Sequence, residues 1–215
     1  MVKIQLILLF FLISLPIVSQ EKKDSVKVFQ GYSGGMMIHT GYLFGTNPDA
    51  PIMTDGRSCS PQGAIFGVGG SLRVHLWKYF RTGFEGGVST MKSNLTDCRE
   101  ILQDGSYIRM GYGGVLADAC WRLDKVWPYI GGTIGGGSIK GLYILEGNQD
   151  DWAKEENTLF HKNSFFYITP YVGLDYCMTK KVHLTFRFDW MLAFHKQSLV
   201  LPTGPKLYIG FMFTH

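Results

Sequence analysis

Five residues, Arg73, Glu85, Asp175, Arg187 and Asp189, have the types and spacing that make arginine–carboxylate pairs. Side chains two residues apart on an extended chain share one face, so Arg187 and Asp189 point the same way. Such pairs can neutralise one another in an enclosed space, or can line a path for protons or ions. The structural alternative is the stronger, because charge that leaves water needs partners and these charges have them. Nucleophilic chemistry would use another set, His39, His161 and His195 with Ser89, Ser138 and Ser198. None of these forms a local motif, and a serine–histidine pair acts only when folding brings the two together. The glycine run at 131–137, GGTIGGG, lacks the following Lys-Ser/Thr of a phosphate loop. No catalytic residue, cofactor-binding motif or metal-ligand set is assigned.

The elements that position the charges are strands. From Val182 to His195 the chain reads VHLTFRFDWMLAFH, in which apolar residues alternate strictly with polar or small ones. That period of two marks a strand with one greasy face and one polar face. In a soluble sandwich the greasy face would turn inward. In an outer-membrane barrel it meets lipid, and Arg187 and Asp189 point into a closed lumen. Eight strand-like runs can be placed, at 27–45, 64–77, 80–92, 106–121, 127–145, 164–178, 182–194 and 206–215. Each is long enough to cross a membrane as a tilted strand. The connections at 46–63, 93–105, 146–163 and 195–205 are long and polar, whereas those at 78–79, 122–126 and 179–181 are short. Sorting of loops by length is the pattern of external loops and periplasmic turns, and a soluble meander has no reason to show it.

Turn lengths then predict registers. A three-residue turn between Leu76 and Phe80 sets Ser71 opposite Glu85 and makes Arg73 and Glu85 diagonal neighbours. A turn at Thr179–Lys181 sets Asp175 opposite Thr185, diagonal to Arg187, and Tyr171 opposite Asp189. Two hairpins thus each present an Arg–carboxylate pair to the lumen, in a barrel too narrow for a water column. In the glycine-rich runs Asp118 and Lys140 fit no single register, and a bulge is expected near Gly135–Gly137.

Near the start of the chain the basic Lys3 is followed by fifteen uncharged residues from Ile4 to Val18, and then by a small residue, Ser19, before a charged run. This has the form of a secretory signal peptide over 1–19, leaving 20–215 as one domain. The last ten residues, KLYIGFMFTH, alternate Leu207, Ile209, Phe211 and Phe213 with polar or small residues. With the leader and the eight-strand pattern, this strand resembles the closing strand of small bacterial outer-membrane barrels of the OmpX/OmpA-transmembrane type, in the style found in Bacteroidetes. The resemblance implies an all-β, eight-stranded antiparallel up-and-down transmembrane β-barrel in the cell outer membrane. It further implies a narrow lumen filled by side chains, variable external loops, contact with outer-membrane lipid, and a C-terminal strand read by the barrel insertion machinery.

The long connections concentrate acid: Asp49, Asp55, Asp97, Glu100, Asp104, Glu146, Asp150, Asp151, Glu155 and Glu156. Cys59 and Cys98 fall in the first and second of them, in an oxidising compartment where a disulfide could clamp the two loops. Cys120 and Cys177 fall on strands separated by a third, about 10 Å apart and beyond disulfide reach. A net charge of +4 gives no case for nucleic acid. The expected role is structural or surface-binding, through the acidic loops and an unidentified extracellular ligand, and not enzymatic. A lipid-modifying outer-membrane enzyme and a small porin-like channel are the alternatives.

Overall fold

A computed structural model describes residues 28–44, 62–92, 106–144, 158–194 and 202–215. The leader, Cys59, Cys98, His195, Ser198 and all ten loop acids named above lie outside the described residues. Eight strands fill the described segments: β1 (Phe29–Leu43), β2 (Gly63–Leu76), β3 (Phe80–Lys92), β4 (Tyr107–Cys120), β5 (Val126–Ile144), β6 (Thr158–Cys177), β7 (Val182–Phe194) and β8 (Gly204–Thr214). Each pairs antiparallel with the next, and β8 returns to β1, so the sheet closes as an up-and-down barrel without an edge. β6 starts six residues before the expected 164, because TLFHKN lacks the alternation of a lipid-facing strand and reads as loop.

Strand registers define the barrel's shape. Directly opposed residues followed around the ring run from Lys162 through Lys140, Arg109, Thr90, Phe66, Thr40, Leu207 and Phe188 to Val172. The circuit returns to β6 ten residues further along than it began. That stagger on eight strands tilts them by roughly 40° from the axis and leaves an interior filled by side chains.

No bulge forms at Gly135–Gly137, contrary to expectation. β4 and β5 pair without a break from Tyr107 opposite Leu142 to Cys120 opposite Tyr129. Asp118 and Lys140 both fit this continuous register, Asp118 facing the lumen and Lys140 the outside. The one register shift in β1 lies between Phe29 and Gly31, where Gly31 has φ +128°. The glycines of the sheet serve packing instead of bending. Gly137 lies beneath the Phe165 ring, Gly87 beneath Tyr112 and Gly173 beneath Tyr129, so each ring lies across the adjoining strand where a Cβ would stand.

Candidate functional site in the barrel interior

The lumen is layered. At the periplasmic end Arg122 donates to Nδ1 of His75 at 3.0 Å. His75 therefore carries its proton on Nε2 and donates it to Ser33 at 2.9 Å. Trp127 packs edge-on against His183 beside them, with ring centroids 4.6 Å apart.

Above this rim sits a neutral cluster of two arginines and two aspartates. Arg81 reaches Asp118 at 2.5 Å and Asp175 at 2.7 Å. Arg73 lies 3.8 Å from Asp118 and 3.7 Å from Asp175. Both guanidinium groups lie over the Tyr129 ring, at 4.8 Å for Arg73 and 4.6 Å for Arg81. Tyr171 donates to Asp118 at 3.1 Å, and Tyr129 and Thr185 share a hydrogen bond of 3.0 Å. Arg73 is fully buried and makes no hydrogen bond among the described residues, so ion pairing and the ring hold it.

The next layer is also neutral. Arg187 bonds to Glu85 with one amino group and to Asp189 at 3.0 Å with the other. Its guanidinium lies between the rings of Tyr171, at 4.7 Å, and Tyr208, at 4.4 Å. Tyr208 and Tyr112 join through their hydroxyls at 2.9 Å, and the Lys206 ammonium lies over Tyr112 at 4.2 Å.

Beyond the charges the lumen becomes apolar. Leu43, Ile65, Met91, Ile108, Met110, Tyr112, Ile139, Phe165, Tyr167, Met191 and Ala193 form one buried cluster with members from β1 through β7. It closes the outer end of the lumen with side chains that offer an ion almost no ligands.

All five sequence-derived charges face this interior, but their partners are not the diagonal ones within each hairpin. The hairpin registers are those the turn lengths predict, with Ser71 opposite Glu85, Asp175 opposite Thr185 and Tyr171 opposite Asp189. Yet Glu85 takes Arg187 in place of Arg73, and Asp175 takes Arg81 and Arg73 in place of Arg187. An eight-stranded barrel is roughly 16 Å across between backbones, so an arginine reaches the opposite wall as readily as its diagonal neighbour. Arg81, Asp118 and Lys206 complete the network, although the sequence pattern placed none of them in a lumen pair. Arg81 and Lys206 carried a signal, since each alternates with outward apolar residues on its strand.

Of the serine–histidine candidates, the fold unites His39 and Ser89, whose Nε2 and Oγ lie 2.7 Å apart. Both are buried, with Ser89 only 1% exposed, and Nδ1 of His39 has no hydrogen-bond partner among the described residues. Ser138 faces outward, and His161 lies in β6 opposite Gly141. Cys120 and Cys177 are separate thiols. Among the described residues no three His, Cys, Asp or Glu side chains converge to hold a metal ion.

The outside of the barrel inverts the usual order of a soluble protein. Met36, Phe66 and Phe84 are 72%, 67% and 64% exposed, while Arg73, Arg187 and Lys206 are buried. On β6 the outward apolar run extends from Phe166 to Tyr176, ten steps along the strand that rise about 2.5 Å each along the axis. The resulting height of about 25 Å is that of the lipid-facing band of a membrane barrel. Aromatic residues flank it, with Trp77, Tyr79 and Trp121 at the periplasmic end and Tyr42, Phe44 and Tyr107 at the outer end. The fold is that of an outer-membrane β-barrel. Solved structures agree with this assignment. Neisserial surface protein A superposes with a TM-score of 0.52 at 13% identity, over 88% of this chain and 99% of that one. The outer membrane protein OprG from Pseudomonas aeruginosa gives 0.56 at 11% identity, over 88% of this chain and 98% of that one. Identities this low speak for the fold alone. No family model matches the sequence, and no curated protein is significantly similar to it.

Proposed function

We propose that this outer-membrane barrel is a closed, non-conducting scaffold whose external loops bind a partner at the cell surface. The observation that carries the proposal is the blocked lumen: two neutral charge layers bonded wall to wall, beneath a cap of apolar side chains. Charges paired this way are structural ballast and do not form a row of stepping sites for ions. With the interior committed to stability, variation and function fall to the loops, as in other rigid scaffolds. Their acidity favours a cationic partner, or divalent ions that bridge to lipid phosphates.

The test uses an oligolysine peptide and Mg²⁺ as separate probes on the folded mature protein. Neutralising Asp150, Asp151, Glu155 and Glu156 together should weaken binding, most strongly at low salt, because exposed charges are screened beyond about 10 Å at 0.1 M. The folded, heat-modifiable gel band should persist. Binding that is unchanged in the variant would remove the loops from the role.

The hydrogen bond between His39 and Ser89 supports a second reading, a lipid-modifying hydrolase. We favour a packing role for the pair, because a buried serine offers no approach to a lipid substrate and, among the described residues, no carboxylate orients Nδ1 of His39. A lipid A mass profile that is the same with and without the protein supports that choice, and a shift by one acyl chain defeats it.

A further inference from the structure

Every strand carboxylate points inward, as Glu85, Asp118, Asp175 and Asp189 do, yet three cations stand together on the outside. Arg109 on β4 is directly opposite Lys140 on β5, which is directly opposite Lys162 on β6. All three are exposed, and none makes an ion pair with a carboxylate among the described residues. Directly opposed residues on neighbouring strands lie roughly 5 Å apart, so the row spans about 10 Å. Like charges in that relation repel and cost stability unless an anion lies among them.

The height of the row identifies the anion's source. Lys162 is four residues beyond Phe166, the top of the apolar run on β6, which places it about 10 Å above the hydrocarbon edge. The tilt of the row brings Lys140 and Arg109 about 3 Å and 6 Å lower in turn. The three therefore occupy the headgroup level of the outer leaflet. Immediately below them the wall is nearly bare: Gly111, Ser138 and Ser164 form the next row, and nothing lies within 4 Å of where a Gly111 side chain would begin. A bulky headgroup can approach the sheet there, with two hydroxyls at its base and three cations above.

We propose that Arg109, Lys140 and Lys162, with Ser138 and Ser164, form an outward-facing site for a phosphate carried by an outer-leaflet lipid. Arginine supplies a fork that matches two phosphate oxygens, and the lysines add charge from the neighbouring strands. The site is on the lipid side of the wall, distinct from the lumen and independent of what the loops bind.

The experiment compares the folded mature protein with the triple variant Arg109→Gln/Lys140→Gln/Lys162→Gln in detergent. Each is titrated with lipid A, with its dephosphorylated form and with inorganic phosphate, and bound lipid is counted by native mass spectrometry. The wild type should bind lipid A at least tenfold more tightly than the dephosphorylated form, and the variant should lose that preference. Without lipid the variant should unfold at the same temperature as the wild type or higher, since repulsion has been removed. A control, Lys180→Gln/Lys181→Gln in a periplasmic turn, should bind as the wild type does. The proposal is overturned by equal binding of the two lipids to the wild type, by equal loss in the control, or by a response to inorganic phosphate as strong as that to lipid A. Heat-modifiable migration of every variant keeps a failure of this site separate from a failure of the barrel.

Discussion

Arg187 on β7 crosses the lumen to Glu85 on β3, four strands away in an eight-strand ring and hence on the facing wall. Two other contacts have the same relation: Arg73 on β2 with Asp175 on β6, and Tyr112 on β4 with Tyr208 on β8. Three of the four strand diameters are thus bridged by polar groups. Replacing Arg187 with Met leaves Glu85 and Asp189 buried without their cation and should cost about 3–5 kcal/mol. The Glu85→Gln/Arg187→Met pair should cost less than the sum of its parts, because each change removes the other's partner. Urea unfolding followed by the heat-modifiable gel shift measures both, and strict additivity would contradict the cross-lumen bond.

Conductance should be absent in planar bilayers, and it should stay absent in the Glu85→Gln/Arg187→Met protein. The apolar cap around Ile65, Met110 and Phe165 lies outside the charge layers and is untouched by those changes. Large, stable single-channel steps from the unaltered protein would instead favour a porin.

Gly173→Ala should destabilise the barrel by about 1–3 kcal/mol through overpacking. Its new methyl group would meet the Tyr129 ring, which is fixed by Arg73, Arg81 and Thr185 and has nowhere to turn. Gly111→Ala enters open space and should be nearly neutral. Equal effects of the two, in the same urea assay, would show that the ring moves freely.

Thiol counting tests the proposed clamp between Cys59 and Cys98. The mature protein, denatured without reductant, should react at two cysteines, Cys120 and Cys177, and at four after reduction. In the folded state Cys177 should react faster, because Cys120 is buried and Cys177 is only partly so. Four reactive thiols before reduction would eliminate the disulfide.

Parity made the strands legible, since Phe186, Phe188 and Trp190 against Arg187 and Asp189 state which side faces lipid. The hairpin registers followed from turn length. What parity cannot carry is height: it directs Arg73 and Arg187 inward without saying which residues on the far wall share their level. That depends on the stagger accumulated over all eight strands, so the partners of Glu85 and Asp175 were not in the local pattern. The glycine run misled for a related reason. Gly137 answers to Phe165 on the next strand, and a single-strand pattern records only that side chains are missing.

The cross-lumen bonds also constrain how the barrel can assemble. Glu85 and Arg187 are 102 residues apart in sequence, and Arg81 and Asp175 are 94 apart, so no single hairpin can join either pair and the sheet must curl across the lumen first. Before the barrel closes, Arg81 has only Asp118 on the adjoining strand and Arg187 only Asp189 on its own, while Glu85 and Asp175 lack these cations and would enter lipid unpaired. Closure supplies these cross-lumen partners together. Folding should therefore be sharply cooperative, with few long-lived intermediates between the open sheet and the sealed barrel.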